Sequence, residues 1–173
     1  GLAMAASLVA GDARGVVWGA ILYQAASVVD GIDGEIARAT FRSSPFGAAL
    51  DTCVDALTNI LFFAGLTFNL THQGNPQVAL FGASAVAAFF GGLILLSFFN
   101  KMNNGSLNFE FLKIYYKSRY HGRYASIFSQ SLSYMISRDF YAFFFMVMIL
   151  AGFAEWVIYI FSFFAVIWLA ALA

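Results

Sequence analysis

The chain has 173 residues, of which 61% are hydrophobic and 10% charged, and its mean hydropathy is +0.79. Because about a quarter of the residues in soluble domains are charged, this composition excludes an ordinary soluble domain and predicts a membrane protein. The formal net charge of 0 leaves no basic surplus for nucleic-acid binding, and the single cysteine, Cys53, excludes an intramolecular disulfide framework.

The first apolar segment, residues 1–10, is about half as long as a membrane-spanning helix. We therefore expect a first helix that is truncated in this chain, with an upstream part missing, and a transmembrane domain that occupies residues 1–173. No charged region followed by a small-residue cleavage site accompanies the segment, so we do not interpret it as a signal peptide.

Five further windows of about 20 mostly apolar residues follow along the chain. They lie at about 15–38, 47–70, 77–99, 134–154 and 156–173. Short breaks rich in Gly, Pro or Asn separate several of them, at residues 11–14, 43–45 and 71–76. With the truncated first helix, the pattern predicts an all-α integral membrane protein, a bundle of six transmembrane helices.

A longer polar segment, residues 100–133, carries most of the basic side chains: Lys101, Lys113, Lys117, Arg119 and Arg123. The positive-inside bias places this segment and the turn at residues 38–42 on the cytoplasmic side. Aromatic residues lie among the charges, so the segment is either an interfacial helix or a solvated loop. In a prokaryote the membrane concerned is the plasma or inner membrane.

Four aspartates lie in or beside the second and third predicted helices: Asp30, Asp33, Asp51 and Asp55. An aspartate at the centre of a membrane helix costs about 2.5–3.5 kcal/mol on translocon scales, so such residues are by default functional. Helical periodicity places Asp30 and Asp33 on one face, and Asp51 and Asp55 on one face of the next helix. A short turn joins the two helices, so we expect the carboxylates to converge near the cytoplasmic end.

Four carboxylates in one pocket repel one another unless cations share the pocket. No histidine lies nearby and only one cysteine is present, so the oxygen ligands favour Mg²⁺ or Mn²⁺ over zinc. Magnesium sites usually complete their shell with substrate phosphates, which predicts a phosphorylated substrate. Gly34 permits close approach of the backbone, and Arg38 offers a planar charged group for phosphate.

The residues around these aspartates match the pattern D-x2-D-G-x2-A-R-x8-G-x3-D-x3-D without a gap or substitution. The matching positions are Asp30, Asp33, Gly34, Ala37, Arg38, Gly47, Asp51 and Asp55. On this motif, and on the six-helix layout, the chain resembles the CDP-alcohol phosphotransferase family, also called CDP-alcohol phosphatidyltransferases. The residues Asp-Gly-Ile-Asp-Gly-Glu at positions 30–35 and the pair Arg138-Asp139 resemble the inositol-phosphate branch of this family. In that branch the phosphotransferase domain can follow a fused cytidylyltransferase.

The resemblance implies roles for the four aspartates. Asp30, Asp33 and Asp51 are expected to bind two Mg²⁺ or Mn²⁺ ions that bridge the diphosphate of a CDP-alcohol. Asp55 is expected to be the catalytic base that deprotonates the acceptor hydroxyl, and also to contact a metal ion.

The resemblance also implies the substrates. Four residues are expected to line the cytidine nucleotide site: Gly34, Ala37, Arg38 and Gly47. The implied reaction moves a phosphoalcohol from the CDP-alcohol to an acceptor hydroxyl and releases CMP, and at least one substrate is a lipid. A homodimer is expected on the same ground.

Two other classes of membrane protein also use buried acids. An ion- or proton-coupled transporter places its site near the bilayer midplane on broken helices, often with internal repeats, and the sequence shows neither feature. A polyprenyl-diphosphate enzyme uses aspartates and magnesium, but without this spacing of Asp-Gly, Ala-Arg and Gly. The identities of the donor alcohol and of the acceptor stay open.

Two further features have alternative interpretations. Glu35 either extends the site or pairs with Arg38 one turn along the helix. Arg138 and Asp139 either bind a phosphate of the acceptor or anchor the helix at the membrane interface.

Overall fold

The computed structural model describes residues 1–39, 45–102 and 138–172, and these form six α-helices. In chain order they are α1 (Leu2–Val9), α2 (Ala13–Ala39), α3 (Pro45–His72), α4 (Pro76–Met102), α5 (Arg138–Leu150) and α6 (Ala154–Leu172). The prediction of an all-α protein is confirmed for these residues. The basic segment at residues 101–123 lies outside them except for the end of α4, and residues 40–42 of the predicted cytoplasmic turn also lie outside.

Three of the helices contain a stretch that is long and apolar enough to cross a membrane. These stretches are Ala13–Asp33 in α2, Leu50–His72 in α3 and Pro76–Leu95 in α4. In the described part of the chain, α5 and α6 are shorter apolar helices, and α1 has only 8 residues. The structure thus supports three of the six predicted spans by length and composition.

The short turns have local causes in the sequence. Each of the three described turns contains one glycine with a positive φ, and these are Gly11, Gly74 and Gly152. Residues with a Cβ rarely adopt this backbone conformation. Helix α2 starts after Asp12, whose Oδ1 accepts a hydrogen bond of 2.7 Å from the backbone N–H of Gly15. The turn before α6 falls at residues 151–153, slightly earlier than the apolar windows suggest.

The short helix α1 packs between α2 and α3. Its Leu8 is fully buried, and a Cβ at Gly19 of α2 would lie 2.6 Å from Leu8 Cγ, while one at Gly65 of α3 would lie 2.9 Å from Leu8 Cβ. Asn69 of α3 donates a hydrogen bond of 2.6 Å to the carbonyl oxygen of Leu8. This bond satisfies one of the last carbonyl groups of α1, which cannot bond within the helix. Glycines thus let three backbones approach closely, as is typical of helices packed in membranes.

Aromatic rings fill the centre of the bundle. Phe63 of α3 stacks on Phe161 of α6 with ring centroids 3.5 Å apart, and meets Phe145 of α5 edge to face at 5.8 Å. Outside this core, large apolar side chains such as Leu80 and Phe163 are 74% and 62% exposed. An outer surface of this kind suits contact with lipid chains better than contact with water.

Helices α4 and α6 pack along each other with small residues at the contact. Ser84 of α4 and Ser162 of α6 are hydrogen-bonded with their hydroxyl oxygens 2.9 Å apart. Further along, the Trp168 ring of α6 lies over Gly92 of α4, which is buried. The absence of a side chain at Gly92 is therefore what allows the indole ring to approach α4.

We predict that two adjacent glycines of α4 respond differently to alanine. A Cβ at Gly92 would lie 2.6 Å from Trp168 Cε3, whereas one at Gly91 would lie 3.6 Å from Leu169 Cδ1, an ordinary contact. Gly92→Ala should lower the free energy of unfolding by about 1–3 kcal/mol through overpacking. Gly91→Ala should leave it unchanged or raise it by up to about 1 kcal/mol, because alanine favours helix. Thermal unfolding in one detergent measures both, and equal midpoints would contradict this packing of α6 on α4.

Candidate functional site

Three carboxylates from two helices meet at one end of the bundle. Asp30 lies near the end of α2, and Asp51 and Asp55 lie one turn apart near the start of α3. Each offers one carboxylate oxygen, and these three oxygens all lie within 4.8 Å of one another. Asp30 and Asp55 are half-buried, whereas Asp51 is exposed. The structure thus brings together three of the four aspartates that the sequence analysis singled out.

The fourth aspartate, Asp33, lies one turn after Asp30 on α2 and is exposed. It does not belong to the group of three, but it lines the same cleft as Asp30 and Asp55. This cleft has a volume of about 420 Å³ and lies between α2 and α3. Beyond the carboxylates its walls are mainly apolar, with Leu22 and Val29 on one side among others. The cleft therefore combines three carboxylates with a mainly apolar lining.

The three oxygens fit a hard divalent cation. With magnesium–oxygen distances of about 2.1 Å, two ligands of an octahedral ion lie about 3.0 Å apart when adjacent and about 4.2 Å apart when opposite, and all three oxygens lie within 4.8 Å of one another. All three donors are carboxylates, and neither Cys53 nor His72 belongs to the group. Such a ligand set suits Mg²⁺ or Mn²⁺ and does not suit a metal that prefers sulfur or imidazole.

The remaining motif residues lie on the same two helices. Gly34, Ala37 and Arg38 occupy the last turns of α2, and their surroundings lie outside the described part of the structure. Gly47 lies in the first turn of α3 and is exposed. Their role in nucleotide binding stays a prediction. The surroundings of Glu35 also lie outside the described part, so its two interpretations stay open.

A hydrogen bond joins the start of α5 to α2 beside the aspartates. The hydroxyl of Ser27, which is buried, donates to Asp139 Oδ1 at 2.6 Å. A Cβ at Gly31 would lie 3.6 Å from Asp139 Oδ2, so the carboxylate also lies next to the residue that follows Asp30. Asp139 therefore approaches the site from a third helix, while the surroundings of Arg138 lie outside the described part.

A second polar connection lies one turn deeper in the bundle. The hydroxyl of Tyr23 on α2 donates to Asn59 Oδ1 on α3 at 2.6 Å, and Asn59 Nδ2 donates to the hydroxyl of Tyr141 on α5 at 3.2 Å. Asn59 is only 5% exposed. Ser27, Tyr23 and Asn59 were not predicted as site residues from the sequence. A signal was present, since Ser27 precedes Asp30 by three residues and Asn59 follows Asp55 by four, in register with the aspartates.

Comparisons with known proteins bear on what this site does. No solved structure matches the chain at a significant level. A bifunctional IPC transferase and DIPP synthase from Aquifex aeolicus is 41% identical over 73 residues, which are 40% of this chain and 17% of that protein. The matched part is thus less than a fifth of that relative's length.

Two shorter relatives are also similar over part of the chain. The phosphatidylinositol phosphate synthase of Corynebacterium glutamicum is 34% identical over 71 residues, 41% of this chain and 32% of that protein. The archaetidylinositol phosphate synthase of Methanothermobacter thermautotrophicus is 37% identical over 68 residues, 39% of this chain and 35% of that protein. The family model for CDP-alcohol phosphatidyltransferase matches residues 2–172, and the chain therefore belongs to the CDP-alcohol phosphatidyltransferase family.

Proposed function

We propose that this chain transfers a phosphoalcohol from a CDP-alcohol to an acceptor hydroxyl, with release of CMP, at a site that holds two Mg²⁺ or Mn²⁺ ions. The observation that carries the proposal is the convergence of Asp30, Asp51 and Asp55, whose oxygens lie within 4.8 Å of one another. Membership of the family over residues 2–172 supports the reaction type.

The proposed mechanism assigns one task to each group of residues. Asp30, Asp33 and Asp51 would hold the ions, which Asp55 would also contact, and bound ions would neutralise the diphosphate and stabilise the leaving CMP. Asp55 accepts the proton of the acceptor hydroxyl while the oxygen of that hydroxyl forms a bond to the phosphorus next to the alcohol. The bond between that phosphorus and the CMP oxygen breaks, so a covalent enzyme intermediate is not required.

The cytidine end of the donor is assigned to the neighbouring turns of α2 and α3. In this proposal Gly34, Ala37, Arg38 and Gly47 line the nucleotide pocket. Arg38 is suited to phosphate because its guanidinium is planar, permanently charged and donates several hydrogen bonds.

The substrates are proposed to belong to inositol phospholipid chemistry. Two of the relatives are named for the synthesis of an inositol phosphate lipid. The combination of apolar residues and carboxylates in the lining of the cleft supports a substrate with a lipid chain and a phosphate. Either the donor is a CDP-lipid and the acceptor is soluble, or the acceptor is the lipid.

The arrangement in the membrane is also proposed. The six helices are taken to form one transmembrane bundle, in which α1, with 8 residues, crosses only part of the membrane. The aspartates are taken to lie near the cytoplasmic side, and two copies are taken to form a homodimer. An ion- or proton-coupled transporter is a weaker candidate, since α2 and α3 run unbroken past Asp30, Asp51 and Asp55.

Release of CMP tests the proposed reaction directly. Purified protein should release CMP only when a CDP-alcohol and an acceptor are both present, for example CDP-diacylglycerol with an inositol phosphate. A chelator should stop the release, and added Mg²⁺ or Mn²⁺ should restore it, because the ligands are carboxylate oxygens. Asp12→Asn, at the opposite end of α2, is the control and should keep the activity. Full turnover under thorough chelation would contradict the metal site.

A pair of aspartate variants separates the proposed base from a proposed ligand. Asp55→Asn should leave donor affinity within a few-fold and lower turnover by about 10²- to 10⁴-fold, the usual contribution of a general base. Asp51→Asn should weaken donor binding as well as turnover, and extra metal should partly restore both. Titration of the donor and single-turnover kinetics measure the two effects. Equal loss of donor binding in both variants would make Asp55 chiefly a ligand.

Labelling of single cysteines tests the orientation. In a Cys53→Ser background, Gln73→Cys in the exposed turn after α3 should react with an impermeant thiol reagent in intact cells. Ser43→Cys and Ser118→Cys, at positions outside the described residues, should react only after the membrane is opened. The reverse pattern would place the aspartates on the wrong side of the membrane for cytoplasmic CDP substrates.

A further inference from the structure

The separation of Asp30 from Asp51 and Asp55 depends on how α2 and α3 are held relative to each other. Among the described residues, α2 packs mainly on α1 and α5, and touches α3 directly at fewer places. At the far end of the bundle, Leu8 of α1 keeps the two helices in register by contacting Gly19 and Gly65. Near the aspartates a different contact must keep α2 and α3 in register.

Asn59 is the residue placed to do so. Its side chain accepts a hydrogen bond of 2.6 Å from Tyr23 of α2 and donates one of 3.2 Å to Tyr141 of α5. Asn59 on α3 therefore contacts both α2 and α5. It lies four residues after Asp55, about 6 Å along the same helix and on the same face. A change in the position of Asn59 is therefore passed along one rigid turn to Asp55.

Burial and ring stacking hold the side chain of Tyr23 in place. Tyr23 is 1% exposed, and its ring stacks on Phe62 of α3 with centroids 4.0 Å apart and planes 7° from parallel. The stack and the hydrogen bond both join α2 to α3. Because the site is buried among apolar side chains, these groups cannot exchange their partners for bulk water.

We propose that Asn59 is a positioning residue for the aspartate site, and that its hydrogen bonds to Tyr23 and Tyr141 set the spacing between Asp30 on α2 and Asp51 and Asp55 on α3. The inference rests on the proposed function, because the property that it controls is the affinity of the carboxylates for a divalent cation. Ser27 and Asp139 add a second contact between α2 and α5 at the level of Gly31. Asn59 itself does not contact substrate in this proposal.

The test measures Mn²⁺ binding and not turnover. Purified protein in detergent is titrated with Mn²⁺, and free ion is followed by electron paramagnetic resonance, while thermal unfolding without metal reports stability. Asn59→Leu, which keeps the volume and removes both hydrogen bonds, should weaken Mn²⁺ binding by about 10-fold, the lower range for groups that orient metal ligands. Tyr23→Phe removes one hydroxyl and should cause a smaller loss.

Asn69→Leu is the matched control. Asn69 is also a buried asparagine of α3 that hydrogen-bonds to another helix, at the Leu8 carbonyl, but it lies ten residues after Asn59, about 15 Å along the helix. Its loss should lower the unfolding midpoint and leave Mn²⁺ affinity unchanged. In a double variant, Tyr23→Phe should add little to Asn59→Leu, because the two residues share one hydrogen bond.

The outcomes distinguish the inference from the proposed function. If the wild-type protein does not bind Mn²⁺, the metal site fails, and this inference fails with it. If the wild type binds and Asn59→Leu binds equally well, the inference alone is overturned. Equal weakening by Asn59→Leu and Asn69→Leu would show a general loss of stability and would also overturn it. If Asn59→Leu does not fold, Tyr23→Phe decides, and unchanged Mn²⁺ affinity in that variant overturns the inference.

Discussion

The repulsion among carboxylates that lie together in an apolar bundle is the constraint on which the rest of the structure depends. Asp30, Asp51 and Asp55 present oxygens within 4.8 Å of one another, on helices whose sequences are otherwise mostly apolar. Two unit charges at about 4 Å repel by about 4 kcal/mol at an effective dielectric constant of 20. The bundle must therefore hold α2 and α3 against this repulsion whenever the carboxylates are ionised and no cation is bound, and a bound cation turns the same geometry into an attraction.

The bundle resists the repulsion with two kinds of contact. At the far end, glycines allow close backbone packing around Leu8, which adds dispersion contacts without a polar group. Near the site, hydrogen bonds of Tyr23, Asn59 and Tyr141 join the helices. Each hydrogen bond between membrane helices contributes about 0.6 kcal/mol on average and at most about 1.7 kcal/mol, so several are needed to oppose one pair of charges. The aromatic stack of Tyr23 on Phe62 adds to them.

The sequence predicted those features of the site that depend on local helical periodicity. Helical spacing places Asp51 and Asp55 on one face, and a connection of a few residues forces α2 and α3 to be neighbours, so the meeting of Asp30 with that pair was predictable. The bond between Asn59 and Tyr141 was not, because it joins residues 82 apart and depends on the order in which helices pack. Hydropathy windows likewise count apolar residues but do not locate helix ends. Thus α5 ends at Leu150, two residues before Gly152 with its φ of 88°, inside the window 134–154.

The depth of the residues in the cleft gives a physical reason for the different roles proposed for the two aspartates of α3. A catalytic base must lie within hydrogen-bond reach of the hydroxyl that it deprotonates, so it must face the space that the substrate occupies. Asp55 lines the cleft together with Asp30, Asp33 and its neighbour Val54, whereas Asp51 is exposed and does not belong to the lining of the cleft. Helix α3 runs inward from the site, so Asp55 also lies one turn, about 6 Å, deeper than Asp51. This position supports assigning proton transfer to Asp55 and ion binding to Asp51, a distinction that the spacing of the motif alone does not contain.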